Sequence, residues 1–294
     1  MTNFQTRIIK RFVALSLRNW HHGSVEQQRT RQERMSRFEI PNPGITFQPI
    51  QIGSLAAAWV QPDSPSGAIL YLHGGAYTLG SINTHRNLAG MLAKATGRRV
   101  LLIDYRLAPE HPFPASLEDS LSAFNWLLDQ EFSPEEIIIA GDSAGGGLAL
   151  AALVSLRDEG IPLPSRAILF SPWTDLTLSG ESITSQASAD FILNAPHLAD
   201  MARLYAGDQA LNLPLISPLY ADLSGLPPLL IQVGTDEILL DDSRRLARLA
   251  EEVGVEVQLE IYEEMFHVFH MFPFFKQTGQ AFKSISNFTK KRDL

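Results

Sequence analysis

A serine flanked by glycines stands at the point where an apolar run meets a helix-forming one. Ile137-Ile138-Ile139-Ala140 stops at Gly141, and Asp142-Ser143-Ala144-Gly145-Gly146-Gly147 leads into Leu148-Ala149-Leu150-Ala151-Ala152-Leu153. This order predicts a strand, a very tight turn with Ser143 at its apex, and a helix whose first N–H groups lie unpaired behind the hydroxyl. Gly141 and Gly145 remove side chains where strand and helix cross. A hydroxyl held in this way suits nucleophilic attack, but it needs a base to take its proton and a third group to orient that base.

Eight histidines compete for the role of base: His21, His22, His73, His85, His111, His197, His267 and His270. His267 is favoured because it follows the last strand-like run, in Tyr262-Glu263-Glu264-Met265-Phe266-His267, and residues just past strand ends gather at one edge of a parallel sheet. His270 lies one helical turn further on and takes a structural role in this reading. For the orienting carboxylate, Leu229-Leu230-Ile231-Gln232-Val233 ends in Gly234-Thr235-Asp236-Glu237, which places Asp236 just beyond a strand. Glu237 is the nearest rival and is expected to face solvent. Asp241 and Asp242 are expected to cap the helix that follows them. A tetrahedral oxyanion also needs donors. The N–H of Ala144 offers one, and Gly74 and Gly75 in Tyr71-Leu72-His73-Gly74-Gly75-Ala76-Tyr77 offer bare backbone where no side chain blocks a substrate oxygen. His73 is read as a support for this loop rather than as a base.

These pieces require a scaffold. Strand-like runs at Leu55 to Val60, Ala68 to Leu72, Val100 to Asp104, Glu136 to Ala140, Arg166 to Phe170, Leu229 to Val233 and Glu256 to Tyr262 alternate with helical segments, notably Ala115 to Leu128 and the stretch after Asp241. Such alternation implies a mostly parallel sheet covered on both faces. Leu176 to Tyr220 breaks the rhythm, with a helix expected near Pro196 to Tyr205. So long an excursion reads as an insertion that folds with the N-terminal helices into a cap. Phe4, Ile8, Phe12 and Leu15 recur at helical spacing toward Trp20, consistent with a helix packed on the main domain, a lid, or a peripheral membrane helix. Asp104 and Arg106 are expected to pair with each other or with neighbours, in a segment stiffened by Pro109, Pro112 and Pro114.

Composition narrows the classes. The chain has 294 residues, 45% hydrophobic and 19% charged, with a formal net charge of −8, which opposes non-specific nucleic-acid binding. Basic residues concentrate in the first forty positions, where Arg7, Lys10, Arg11, Arg18, Arg29, Arg31, Arg34 and Arg37 face only Glu26, Glu33 and Glu39. There is no cysteine, so disulfides, thiolate metal sites and cysteine nucleophiles are excluded. The run Phe12 to Leu17 is too short for a signal-peptide core or a membrane span, so a soluble, cytoplasmic protein is expected.

Taken in order, His73-Gly74-Gly75-Ala76, Asp104-Tyr105-Arg106-Leu107-Ala108-Pro109-Glu110, Gly141-Asp142-Ser143-Ala144-Gly145, Ser171-Pro172-Trp173, Leu226-Pro227-Pro228, Asp236 and Met265-Phe266-His267 resemble the hormone-sensitive-lipase-like branch of the α/β-hydrolases, the bacterial family IV esterases. The resemblance runs from about Gly67 onward. It implies an α/β-hydrolase fold with an eight-stranded sheet, a triad of Ser143, Asp236 and His267, and oxyanion donors at Gly74, Gly75 and Ala144. It implies cap helices over residues 1–45, a catalytic domain over 46–294 and a cap insertion at about 176–215. The implied activity is hydrolysis of short- to medium-chain acyl esters, or small lactones, through an acyl-enzyme, with no metal or organic cofactor. The implied partner is a small-molecule ester, without nucleic acid or stable membrane insertion, and a homodimer is allowed. Ala76 and Val268 stand where the family often has glycine. A cap-bearing receptor without catalysis is disfavoured, since it has no need of all three triad members, and amide cleavage would use the same machinery.

Overall fold

The structure, a computed structural model, describes residues 4–17, 21–37 and 42–290. Eight strands form one sheet: β1 (Thr46–Ile52), β2 (Leu55–Gln61), β3 (Ala68–Leu72), β4 (Arg99–Ile103), β5 (Ile137–Asp142), β6 (Arg166–Phe170), β7 (Leu229–Gly234) and β8 (Val257–Tyr262). Their spatial order is β1-β2-β4-β3-β5-β6-β7-β8. β2 pairs antiparallel with β1 and with β4, and every other pair is parallel.

Alternation along the strands divides the core into two layers. Leu70, Leu72, Ile137 and Ile139 pack on one face with α4 (Ala115–Asp129) and α5 (Ala144–Asp158), and α8 (Leu240–Glu252) lies against the same face. Ile69, Tyr71, Ile138 and Ala140 pack on the other with α3 (Ile82–Thr96) and α9 (Lys276–Phe288). Both faces are covered, so the central strands are apolar at successive positions and their side chains are buried throughout. β1 escapes the sequence pattern because it is an edge strand, exposed along most of its length and carrying Pro49, which a central strand would not tolerate. α3 is delimited by a reciprocal Ser81–Thr84 capping box and by Gly97 in the left-handed conformation.

α1 (Phe4–Leu17) and α2 (Val25–Ser36) precede the sheet, and the segment between β6 and β7 carries α6 (Ser182–Ser185) and α7 (Ala195–Ala206). The expected stripe on α1 faces the wrong way: Ile8, Phe12 and Leu15 are exposed, while Val13 is buried with Phe266, Phe269 and Phe275, and Ile9 packs beside it. α1 is apolar on more than one side, and Lys10, on the side of Ile9 and Val13, selects the docking face by its ion pair with Asp236. α2 is held by Arg29, which donates to the carbonyls of Thr78 and Ala108 and bidentately to Glu110. Trp20 lies outside the described residues. Among those residues, no helix is long and apolar enough to cross a membrane.

Candidate active site

Ser143 sits between β5 and α5 with φ 53° and ψ −122°, a conformation that L residues rarely adopt. The surroundings over-determine it. Its N–H donates to Phe170 O at 2.8 Å, and its carbonyl accepts from Trp173 N at 2.9 Å. A Cβ at Gly145 would collide with the carbonyl oxygens of Leu72 and His73, and one at Gly141 with those of Gly145 and Leu72. Both glycines are therefore required by the crossing of strand and helix.

His267 follows β8, and its Nε2 stands 2.9 Å from Ser143 Oγ. On the far side of the ring, His267 Nδ1 is 2.7 Å from Glu237 Oε2. Glu237 therefore holds the position expected for Asp236. The two residues follow the end of β7 in succession, so their side chains leave in different directions. Asp236 turns toward α1 and pairs with Lys10, which also donates to Glu264 O, while Thr235 Oγ1 donates to the other Asp236 oxygen at 2.9 Å. Glu237 turns inward and is fully buried rather than solvated. Its Oε1 accepts from Ser171 Oγ and from Gly234 N, both at 2.7 Å. Burial works against a charged His267, but the adjacent Glu237 carboxylate, reinforced by Asp190 and Asp142, more than offsets it. The His267 pKa lies above the ordinary histidine value of 6.5.

The loop after β3 shows a second departure. The N–H of Gly74 donates to Asp142 Oδ1 at 2.9 Å, so it is engaged and cannot serve an incoming oxyanion. The N–H groups of Gly75, Ala76 and Ala144 pair with no acceptor among the described residues. Ala76, at φ 51°, thus presents a bare N–H where Gly74 does not. Asp142 also accepts from Tyr71 OH at 2.7 Å and lies 3.5 Å from His85 Nε2. Its burial raises its pKa less than His85 and Tyr71 lower it, so it stays ionised below the usual aspartate range. His73 supports the loop as expected, with Nδ1 donating to Gly74 O at 2.8 Å and its ring stacked on Tyr105.

Other carboxylates serve structure. Asp104 Oδ1 accepts from Ile82 N at the start of α3, and Arg106 pairs with Glu118 and Asp119 rather than with Asp104. Asp241 accepts from Ser182 N, and Asp242 from the N–H groups of Thr174 and Asp175, so these two tie α8 to neighbouring loops instead of only capping it. His270 is buried, with Nε2 donating to Gln232 Oε1 at 3.1 Å. Leu198 is buried, and the half-buried Phe191 packs on Phe266 at 4.8 Å between ring centroids. No group of three or more metal-ligating side chains occurs among the described residues.

A strained serine between strand and helix, a histidine after the last strand and a buried carboxylate after the preceding one define the α/β-hydrolase class of serine hydrolases. The comparisons agree. A family model described as the alpha/beta hydrolase fold matches residues 69–271. An acetyl-hydrolase from Streptomyces hygroscopicus is 42% identical over 279 residues, spanning 92% of this chain and 91% of that protein. An esterase from the bacterial hormone-sensitive lipase family superposes with a TM-score of 0.92 at 41% identity, covering 95% of this chain and 96% of the other. EstE5, whose crystals were soaked with p-nitrophenyl butyrate, superposes with a TM-score of 0.88 at 44% identity, covering 92% and 91%. The chain belongs to the α/β-hydrolase family, in its bacterial hormone-sensitive-lipase branch, and is an enzyme of the serine-esterase type.

Proposed function

We propose that this enzyme hydrolyses short- to medium-chain acyl esters through an acyl-enzyme on Ser143. The observation that carries this reading is the continuous buried relay from Glu237 through His267 to Ser143, with contacts of 2.7 and 2.9 Å. Neutral His267, its Nδ1–H donated to Glu237, accepts the Ser143 proton at Nε2 as Oγ bonds to the ester carbonyl carbon. The carbonyl oxygen becomes an oxyanion facing the N–H groups of Gly75, Ala76 and Ala144. Collapse breaks the bond to the alcohol oxygen, and imidazolium Nε2 returns the proton to that leaving group. A water molecule then attacks the acyl carbon by the same route and releases the acid and free Ser143. Glu237 fixes the imidazole tautomer and stabilises its charged form.

In this reading α1, α2 and the α6–α7 insertion form a cap. Two contacts bring α7 against the oxyanion loop: Thr78 Oγ1 lies 3.1 Å from Met201 Sδ, and Tyr77 stacks on Tyr205 at 3.7 Å. A packed helix there limits acyl length, in keeping with the acetyl-hydrolase and the butyrate-soaked EstE5 among the relatives. A series of p-nitrophenyl esters from acetate to palmitate, extended to small lactones and a matched amide, tests the reading. Activity is expected to peak at acetate to octanoate, and Ser143→Ala is expected to lose about 10⁴- to 10⁶-fold in kcat. Preference for palmitate would overturn the chain-length reading, and near-normal turnover by Ser143→Ala would overturn the mechanism.

A further inference from the structure

Ser171 lies one residue past β6, outside the relay, yet it touches both the acid and the segment bearing the base. Its hydroxyl donates to Glu237 Oε1 at 2.7 Å and accepts from Val268 N, the amide directly after His267, at 3.2 Å. The residue before it and the second residue after it hold the nucleophile: Phe170 O accepts from Ser143 N, and Trp173 N donates to Ser143 O. One short segment, 170–173, therefore serves as a common reference to which serine, histidine and glutamate are all fastened.

The backbone here is strained at both ends of the Ser171–Val268 hydrogen bond. Ser171 has φ 45° and Val268 φ 47°, the latter a β-branched residue in a conformation that favours glycine. Such strain persists only where the surroundings impose it. The peptide N–H of Ser171 is anchored to Gln232 O at 2.7 Å, and its side chain is fully buried, so the hydroxyl is held at one place. That place is between the Glu237 carboxylate and the chain leaving His267.

We propose that Ser171 is a positioning residue for the hydrolytic reaction, its hydroxyl holding the Glu237 carboxylate and the His267 segment in register with Ser143. The inference rests on the acyl-enzyme reading above and extends it. Without the hydroxyl, Gly234 N alone anchors Glu237 Oε1, and the carboxylate is free to rotate away from His267 Nδ1. Turnover falls while ground-state binding, which uses other contacts, does not.

The test compares Ser171→Ala with Ser171→Gly. Both lack the hydroxyl, but only alanine retains the penalty of a positive φ, so the two differ in stability for reasons unrelated to the relay. The expected result is a similar ~10- to 100-fold fall in kcat for both variants, the scale of one hydrogen bond to a charged group. KM stays within about twofold, since no substrate contact is removed. A second readout is the acid limb of kcat/KM, which follows His267. The groups facing it are Glu237, Asp190 and Asp142, and Glu237 acts through the direct hydrogen bond. If that carboxylate drifts away, burial prevails and the limb moves to lower pH. The proposal is overturned if kcat stays within about threefold of the parent, if activity tracks melting temperature across the two variants, or if the limb is unmoved or rises. With Ser143→Ala as the control, loss of activity there alongside normal Ser171 variants would sink this inference alone. Normal activity in Ser143→Ala would sink the underlying reading.

Discussion

Replacing Glu237 by glutamine keeps the shape of the side chain and removes its charge. In the parent, Oε1 accepts two hydrogen bonds, from Ser171 Oγ and Gly234 N, and Oε2 accepts the third, from His267 Nδ1. Glutamine has only one acceptor oxygen. If it faces Ser171 and Gly234, the amide NH₂ points at Nδ1, and the ring must carry its proton on Nε2, where it cannot accept from Ser143. If it faces His267, the NH₂ meets the Gly234 N–H and leaves a buried donor unpaired, at a cost of about 1–3 kcal/mol. The unproductive tautomer is therefore favoured by about 5- to 150-fold. The developing imidazolium also loses a charged partner worth about 1.5–3 kcal/mol, a further ~10- to 150-fold. Together these predict a kcat about 10² to 10⁴ below the parent. Steady-state hydrolysis of p-nitrophenyl butyrate measures it, with Asp236→Asn beside it. The Asp236 variant, which loses only the pairing with Lys10, should retain kcat within about threefold. The pH profile gives an independent check. The parent's acid limb lies above the ordinary histidine value because Glu237 holds the His267 pKa up, and in Glu237→Gln that limb moves to lower pH. If Glu237→Gln kept a tenth or more of the activity while Asp236→Asn lost a thousandfold, the reasoning from geometry would be refuted.

Two further outcomes follow from the same structure. Asp142→Ala releases Gly74 N and Tyr71 OH, so the oxyanion loop loosens; kcat should fall ~10- to 100-fold, and affinity for a trifluoromethyl ketone should weaken by a similar factor. Unchanged inhibitor affinity would show that the loop does not depend on this carboxylate. Burial lowers the His270 pKa to about 3, so between there and 6.5 the unfolded chain takes up a proton that the folded one refuses. This makes stability fall as pH falls, by up to about 1.4 kcal/mol per pH unit. Asp242, raised to about 7 by its burial, acts in the opposite sense, so the informative quantity is the difference between parent and His270→Gln. Denaturant unfolding at pH 6 and pH 4 should show the parent losing roughly 2 kcal/mol more than the variant, and parallel losses would count against a neutral buried His270.

Strand-end chemistry was readable in this chain because it is local. Ser143 follows an apolar β-run and His267 an alternating one, and the glycines around Ser143 mark a tight strand-to-helix turn, although part of their demand comes from the carbonyls of Leu72 and His73 at the end of β3. The carboxylate was not readable. Asp236 and Glu237 share every local feature, and the choice depends on how Gly234 to Ile238 turns after β7, which Lys10 and Ser171 help to settle from more than sixty residues away. Gly74 was misassigned for a similar reason. Its N–H looks as bare as that of Gly75 until Asp142 is brought alongside by the pairing of β3 with β5. Seven strands could be read from their runs, whereas β1, exposed and interrupted by Pro49, carries no such signal. α3 was not read from the sequence, although Ser81, Thr84 and Gly97 stand at the spacing of its caps.

In the proposed mechanism Ser143 becomes covalently acylated through a relay with His267 and Glu237. Incubation with an alkyl fluorophosphonate followed by intact-mass and peptide mass spectrometry tests it directly. The relay predicts one phosphonyl group per chain, located on Ser143, in step with loss of esterase activity. It also predicts much slower labelling in Glu237→Gln and no change of rate in Asp236→Asn. Labelling elsewhere, or hydrolysis that continues with Ser143 fully modified, would contradict it.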